Sequence, residues 1–415
     1  MTERLYYDDA YLTAFDAIVL RCQAQDGQHR VLLNRTVFYP TSGGQPHDTG
    51  VLIAGANRHA VTDVAADADG NVWHTIGMPL PEGSAVHGEI DWPRRFDHMQ
   101  QHLGEHVLAG AIHELLGGYT IGLHMGASTS TIDVTMPDKR LRLTEAEVLT
   151  LEETVNGRLQ QNLAVKCWFP DAQELQRLPL RKPPPAVNNV RIVDVGNIEM
   201  VACGGTHPTT TGQAGQLKVL DTQPARGKMR VSFVCGMRTV RYFHALYNTA
   251  VQAGRLLSSS PEALADATSK MVANMANLRA ELAQMKKASV LAQADRCLLS
   301  AQPLPRGWKL AAAELNDADM DSLGSAAAHL TASPGVIALL AAAAETGYTV
   351  VFARSADVDL DMRKVIQQAG VRGGGRNDFA RGAAESPASL AKAEQFVIHE
   401  AGSARSENTQ NSEQY

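Results

Sequence analysis

The sequence predicts an α+β protein built from several domains. Its 415 residues exceed the ~100–200 residues that one domain usually contains. Short β-prone runs fill the first 90 residues, and helical and strand patterns then alternate along the rest of the chain. We therefore predict an N-terminal β-barrel, an α/β domain, a helical hairpin and a small C-terminal α/β domain.

Residues 1–90 are predicted to form the β-barrel. The runs AIVLRC, RVLLN, GVLIAG and AVHGEID are short and β-prone, and glycine, proline and Asp-Gly turns separate them. A sandwich of two sheets would give the same pattern, so the strands are predicted more firmly than their closure.

Residues 91–245 are predicted to form the α/β domain. Phe96, Met99, Leu103 and Val107 follow three- and four-residue steps that are typical of a helix, and Gly117 supplies its stop. A second amphipathic helix opens at Thr144, with acidic residues in its first turn. The runs STIDVTM, NVRIVDV, GQLKVLD and MRVSFVC are predicted strands.

The remainder is predicted as three segments. In residues 246–300, apolar residues from Met271 to Met285 alternate four- and three-residue steps, which is typical of an antiparallel helical hairpin or a dimer helix. Residues 301–402 alternate helix and strand patterns and form the C-terminal α/β domain. The polar residues 403–415 are predicted to be disordered.

Composition bounds the class of protein. The net charge of −6 provides no overall positive field for nucleic acid, although local basic patches remain compatible with it. Five scattered cysteines indicate a reducing compartment rather than a disulfide framework. There is no apolar run of the roughly 20 residues that span a bilayer. We expect a soluble, cytoplasmic protein without a membrane partner.

Four residues point to a metal site. His102 and His106 are four residues apart, so they lie on one face of the predicted helix. Cys203 and His207 have the same spacing in the segment CGGTH. Three imidazoles and a thiolate suit tetrahedral zinc and disfavour magnesium or calcium, which prefer oxygen ligands. The sequence predicts one Zn²⁺ per chain.

The segment HLGEH also matches a different zinc motif. HxxEH occurs in zinc proteases, where the acid next to the second histidine acts on the metal-bound water, which would make Glu105 catalytic. That interpretation requires a carboxylate ligand further along the chain and leaves CGGTH unexplained. We therefore favour Glu105 as a solvated helix acid.

Four motifs in one order resemble a known family. HLGEH and CGGTH, preceded by FYPTSGGQPHDTG at 38–50 and followed by GVRGGGRNDFARG at 371–383, are similar to the AlaX-type alanyl-tRNA editing proteins. The resemblance extends from about residue 10 to about residue 400. It covers the long form, which shares the editing and C-terminal domains of alanyl-tRNA synthetase. The aminoacylation domain of the synthetase has no counterpart here.

The resemblance implies hydrolysis of mischarged tRNA(Ala), chiefly Ser-tRNA(Ala) and also Gly-tRNA(Ala). It places the family's zinc ligands on His102, His106, Cys203 and His207, and it makes residues 91–245 the editing domain. It implies that the substrate-binding residues are Thr36, Gly43, Gly44 and Gln45. We add His124, which follows the helix in the sequence, as a further candidate for the pocket. A hydroxyl contact at Thr36 would separate serine from alanine, because alanine would leave that polar group unpaired.

The C-terminal motif VRGGGR offers basic groups and exposed backbone donors. It predicts a tRNA-binding segment at Arg372, Gly373, Gly374, Gly375 and Arg376. A homodimer through the C-terminal region also fits the apolar seam. Two other functions stay open at this point: a non-catalytic tRNA-binding protein whose zinc is structural, and the HxxEH-type protease.

Overall fold

The computed structural model of the chain describes residues 1–185, 189–196 and 198–403. They form two compact units, the first spanning Met1–Gln252 and the second beginning at Ala253. The sequence predicts four domains with boundaries at residues 90, 245 and 300, whereas the structure joins the first two segments in one unit. Of the predicted disordered tail, only Ser403 lies among the described residues. The mixed α+β class is confirmed.

The N-terminal part of the first unit is a curled antiparallel sheet. Its strands lie in the order β6-β5-β9-β2-β3-β8-β7, and only Thr62 separates the two outer strands β6 and β7 in the chain. Two short strands, β1 and β4, pair in parallel beside this sheet. The strands are β1 (Glu3–Arg4), β2 (Ala14–Gln25), β3 (Gln28–Leu33), β4 (Arg35–Thr36), β5 (Gly50–Ala54), β6 (Asn57–Val61), β7 (Asp63–Ala66), β8 (Val72–Ile76) and β9 (Ala85–Ile90).

The alternation of buried and exposed residues along its strands explains why this sheet curls around a core. Along β2, buried Phe15, Ala17 and Val19 alternate with exposed neighbours. They pack with buried residues of the other strands, such as Val31 and Leu52, in one apolar cluster. The sheet therefore has an apolar inner face and a solvent-exposed outer face, which on β2 also carries Ile18 and Leu20.

The second half of the first unit packs helices on two further sheets. The strand orders are β10-β11-β16-β15 and β12-β13-β14, both antiparallel. The elements are α1 (Trp92–Leu116), β10 (Tyr119–Met125), β11 (Ser130–Thr135), α2 (Glu145–Gln160), β12 (Val165–Trp168), α3 (Ala172–Leu175), β13 (Ile192–Val195), β14 (Glu199–Ala202), β15 (Leu217–Ala225), β16 (Lys228–Cys235) and α4 (Met237–Leu256).

The ends of the two long helices follow from local sequence. Asp91 caps α1 by accepting a hydrogen bond from the N–H of Arg94, and Gly117 ends it in the left-handed conformation with φ +65°. Thr144 and Glu147 form a capping box at the start of α2. The predicted start of α2 and the predicted stop of α1 are both confirmed.

The second unit contains one six-stranded sheet in the order β17-β18-β19-β20-β22-β21. Only β18 and β19 pair in parallel, through the crossover helix α6. The elements are α5 (Leu264–Leu299), β17 (Gln302–Pro303), β18 (Lys309–Glu314), α6 (Met320–Thr331), β19 (Val336–Ala343), β20 (Tyr348–Arg354), α7 (Met362–Gln368), β21 (Arg372–Gly375), β22 (Phe379–Ala384) and α8 (Ala388–Ser403).

The predicted seam lies on the first part of α5. Met271, Met275 and Leu278 are exposed, whereas Val290 and Ala294 further along the helix are buried. The buried end packs against α6 and β18, which anchors α5 to the second unit. Among the described residues, no helix is long and apolar enough to cross a membrane.

Candidate metal centre

The four predicted ligands come together in the first unit. His102 and His106 lie one turn apart on α1, and their rings stack with centroids 5.1 Å apart and planes 6° from parallel. Cys203 and His207 lie in the loop that follows β14. One ligand atom from each of the four residues lies within 4.8 Å of all the others.

The individual distances suit a tetrahedral zinc ion. The Nε2 atoms of His106 and His207 are 3.1 Å apart, and Cys203 Sγ lies 3.3 Å from His102 Nε2 and 3.6 Å from His207 Nε2. Ligand atoms placed at the usual zinc bond lengths around a tetrahedron are roughly 3.3–3.8 Å apart. These three distances are therefore close to those expected between ligands of a bound metal ion.

The protonation states of the three histidines also suit metal binding. Burial lowers the pKa of His102 to about 3 and holds the pKa values of His106 and His207 well below 6.5, so all three imidazoles are neutral at pH 7. Burial raises the pKa of the Cys203 thiol to about 12. Zinc binds the thiolate, so metal binding must displace the thiol proton.

Gln45 fixes the orientation of His102. Its side-chain oxygen lies 2.8 Å from His102 Nδ1 and also accepts the N–H of Thr206 at 3.1 Å, while its amide nitrogen donates to Thr206 Oγ1. A carbonyl oxygen opposite Nδ1 selects the tautomer with a proton there, which leaves Nε2 free for a metal. Gln45 thus links the N-terminal sheet to the CGGTH loop.

Close packing requires the second of the two glycines of CGGTH. A Cβ on Gly205 would lie 2.1 Å from His102 Cε1, so a side chain there would displace the imidazole. A Cβ on Gly204 would lie 3.4 Å from the Tyr7 hydroxyl. Arg191 holds the loop by donating to the carbonyl oxygens of Cys203 at 3.1 Å and Gly205 at 2.8 Å.

A cavity of about 340 Å³ opens beside the cluster. Its wall combines His102, His106 and Cys203 with aromatic, charged and backbone groups. The other side chains important here are Tyr39, Ser42, Glu105, Thr120, Arg181 and Lys182. Charged groups in a partly buried pocket interact strongly, because less water screens them. The volume lies within the range of small-molecule pockets.

The substrate residues predicted from sequence fall in different places. Gly43 lines the cavity, whereas Gln45 is fully buried behind His102. Gly44 has φ +86°, and a Cβ there would lie 2.1 Å from the carbonyl oxygen of Leu123, so close approach explains this glycine. His124 is exposed and does not line the cavity.

Thr36 does not line the cavity either. Its side chain is fully buried, its hydroxyl lies 2.8 Å from His74 Nε2, and it accepts the N–H of Phe38 at 3.0 Å. Burial lowers the pKa of His74 to about 4, and the His74 Nδ1 proton points to the carbonyl oxygen of Val31. The neutral Nε2 therefore accepts the threonine proton, and both roles of the hydroxyl are used inside the sheet.

Glu105 is the residue that the sequence interpretation placed wrongly. It is buried, not solvated, and its carboxylate lies 3.9 Å from His106 Nδ1. Burial raises its pKa to about 7, while Lys182 and Arg181 act to lower it. The position three residues after His102 put Glu105 on the ligand face, which is a signal that the sequence already contained.

Two basic residues of the segment RLPLRKPPP also reach the cavity. Lys182 Nζ lies 2.9 Å from Thr120 Oγ1, and Arg181 pairs with Glu199 through Nε–Oε1 at 2.6 Å. Burial lowers the pKa of Lys182. Nothing in the local sequence distinguishes these residues from a solvated basic turn, so only the fold assigns them to the site.

Comparisons with known proteins relate the chain to aminoacyl-tRNA synthetases. The model described as tRNA synthetases class II (A) matches residues 2–94, and the model described as threonyl and alanyl tRNA synthetase second additional domain matches residues 190–231. The second match contains Cys203 and His207. The alanine–tRNA ligase of Archaeoglobus fulgidus is 32% identical over 394 residues, which cover 92% of this chain and 42% of the ligase. The chain is AlaX-like and related to domains of alanyl-tRNA synthetase.

Other relatives match the chain in the same way. The alanine–tRNA ligase of Pyrobaculum neutrophilum is 33% identical over 402 residues, with 92% of this chain and 42% of the ligase covered. The chain thus spans about two-fifths of the length of these ligases. The C-Ala domain of Aquifex aeolicus alanyl-tRNA synthetase covers 24% of this chain at 17% identity, with 96% of that domain aligned and a TM-score of 0.23 that supports no conclusion about the fold.

The glycine-rich segment of the chain is a strand at the edge of the second unit's sheet. Gly373 and Gly375 pair with β22, and a Cβ on either would lie within 2.2 Å of a β22 carbonyl oxygen. Arg372 pairs with Glu385 at 2.8 Å, and Arg376 lies 3.4 Å from Asp378. Both arginines are exposed, so each keeps access to solvent and to ligands.

Proposed function

We propose that the chain is a zinc-dependent deacylase of mischarged tRNA(Ala), chiefly of Ser-tRNA(Ala) and also of Gly-tRNA(Ala). The observation that carries this proposal is the cluster of three histidines and one cysteine, of which His102, His106 and Cys203 line a small cavity. The relatives named alanine–tRNA ligases point to the tRNA. An aminoacyl ester is already activated, so positioning and polarisation suffice for its hydrolysis.

The proposed roles of the residues follow from their positions. His102, His106, Cys203 and His207 would hold one zinc ion, which supplies Lewis-acid polarisation of an ester carbonyl when bound. Four protein ligands usually leave no open position for water on a zinc ion. Another group must therefore accept the proton of the attacking water. Glu105 lines the same cavity, and its carboxylate suits that role.

The cationic wall has a separate role in the proposal. Lys182 lies against Thr120 in the cavity, and Arg181 is neutralised by its pair with Glu199. Lys182 therefore provides positive charge to stabilise the oxyanion that develops during ester hydrolysis or a phosphate next to it. The set of metal ligands favours ester hydrolysis over the activity of an HxxEH-type protease. The third ligand of such a protease would be a carboxylate rather than Cys203 and His207.

The decisive experiment measures deacylation of Ser-, Gly- and Ala-tRNA(Ala) by the purified protein, with chelator and with zinc restored. We expect the seryl ester to be hydrolysed fastest, the alanyl ester to be spared, and chelation to stop turnover reversibly. Binding of mischarged tRNA without hydrolysis would support a structural zinc instead. Cleavage of peptides but not of esters would support the protease.

A substitution at Glu105 tests the proton acceptor. We expect Glu105→Gln to lower kcat for Ser-tRNA(Ala) by about 10²-fold or more, because the amide cannot accept the proton of water. Zinc content should stay at one ion per chain. The control is Glu114→Gln on the same helix, since Glu114 is exposed and pairs with Arg158. Equal kcat values for the two variants would exclude Glu105 from this role.

We also propose that the second unit contacts tRNA. The overall charge of −6 does not attract nucleic acid, so affinity must come from local groups. Arg372 and Arg376 are exposed at the two ends of the edge strand β21, whose glycines Gly373, Gly374 and Gly375 carry no side chains to block a phosphate. A homodimer through the exposed seam of α5 is a separate proposal for the same region.

A further inference from the structure

A second cavity lies on the other side of the CGGTH loop. The described residues enclose about 610 Å³ there, and the lining side chains include Arg4, Tyr7, Phe169 and Arg191. Cys203 and Gly204 line both this cavity and the one beside the metal cluster. We name it the aromatic cavity.

Its aromatic rings leave a surface for stacking. Tyr7 and Phe169 meet edge to face, with centroids 5.5 Å apart and planes at 77°. The guanidinium of Arg191 lies 5.2 Å from the centre of the Tyr7 ring. Phe169 is 48% exposed, so much of its ring faces solvent. Exposed rings of this kind bind the flat faces of nucleobases, whatever the base.

The charges of the aromatic cavity favour an anion. Arg4 and Arg191 are its cationic lining residues, and Asp8 is an opposing acid. Arg191 is engaged with the loop carbonyl oxygens of Cys203 and Gly205. Arg4 donates to the carbonyl oxygen of Gly70 at 3.2 Å and lies 6.0 Å from the centre of the Tyr7 ring. A ring surface beside a guanidinium matches a base and its phosphate.

The aromatic cavity and the metal cluster lie next to the same loop. The loop that lines both cavities has no side chain at Gly204, where a Cβ would lie 3.4 Å from the Tyr7 hydroxyl. A strand whose terminal ribose carries an ester at the metal cluster would continue across this glycine. The next nucleotide would then lie over Tyr7 and Phe169.

We propose that the aromatic cavity binds one unpaired nucleotide of single-stranded RNA, adjacent to the nucleotide that carries the ester. Phe169 stacks on the base, Tyr7 supports the Phe169 ring from its edge, and Arg4 contacts the phosphate. This inference rests on the proposed function for its placement of the ester. It adds a binding site that recognises the single-stranded end of the RNA independently of the acyl group.

The test uses the full chain and two uncharged hairpin RNAs, one with a single-stranded 3′ end and one blunt. Fluorescence anisotropy should show that Phe169→Ala weakens binding of the first RNA by about tenfold and leaves the blunt RNA unaffected. Phe169→Trp should retain affinity, whereas Phe169→Leu should lose it. Arg4→Gln should reduce the dependence of log K on log salt by about one unit.

The matched control is Phe243→Ala, because Phe243 is 65% exposed on α4 and does not line the aromatic cavity. Zinc content verifies that each variant keeps the metal site. Equal affinity of wild type, Phe169→Ala and Phe169→Leu for the overhang RNA would overturn the inference, as would equal losses for both RNAs. If wild type binds the overhang selectively but hydrolyses no ester, the proposed function fails and this inference stands.

Discussion

Replacing Cys203 or His102 with alanine is expected to abolish zinc binding and, with it, hydrolysis of Ser-tRNA(Ala). Each residue supplies one atom of a four-atom cluster within 4.8 Å, and three atoms cannot complete the tetrahedral site. Loss of the several kcal/mol that a metal supplies to a transition state corresponds to at least about 10³-fold in rate. Metal analysis of the purified variants and single-turnover deacylation measure both effects.

Two nearby non-ligands provide the controls for the cluster. Cys167 is an exposed cysteine on β12, and His113 lies on α1 beyond the cluster, next to Tyr119. Cys167→Ala and His113→Ala should keep one zinc per chain and most of the activity. Full zinc retention in both Cys203→Ala and His102→Ala would contradict the assignment of the ligands.

The ligands could be predicted from sequence because their geometry is local. A four-residue step on a helix places His102 and His106 on one face whatever surrounds the helix. CGGTH is short enough to bring its own cysteine and histidine together, and its glycines remove the side chains that would obstruct the metal. Only the meeting of the two pairs depends on the fold, and the structure brings it about through α1 and β14.

The role of Glu105 could not be read from polarity in the same way. Every residue from His98 to Ile112 on α1 is buried, so this helix has no solvated face over four turns. A polar residue on such a helix must be paired or functional, because burying it unpaired is costly. The sequence shows an ordinary amphipathic pattern, and only the sheets packed on every side reveal the difference.

Thr36 illustrates the opposite case. The sequence interpretation placed its hydroxyl in the substrate pocket, but β4 directs it into the curled sheet toward His74. The partner is 38 residues away in the chain and belongs to another strand. Local sequence contains no record of such a pairing. The glycine-rich segment differs for a similar reason, since close strand pairing rather than a loop explains its glycines.

The last prediction concerns the ion pair that joins α1 to the N-terminal sheet. Arg95 and Asp48 are both completely buried, and Arg95 Nε donates to the two carboxylate oxygens of Asp48 at 3.1 and 3.0 Å. Arg95 also donates to the carbonyl oxygens of Val37 and Ala10, and Asp48 accepts the N–H of Tyr39 at 2.7 Å. This network holds in place the segment that carries Tyr39, and Tyr39 lines the cavity beside the metal cluster.

We expect Arg95→Leu to lower the free energy of unfolding of the first unit by about 3–5 kcal/mol, because it leaves the Asp48 carboxylate buried without its partner. Urea denaturation followed by tryptophan fluorescence measures this loss. The control is Arg58→Leu, whose exposed pair with Glu89 should contribute no more than about 1 kcal/mol. Adding Asp48→Leu to Arg95→Leu should recover part of the stability, since it removes the unpaired charge. A double variant as unstable as the sum of its single variants would show that packing, rather than the ion pair, determines the stability of this junction.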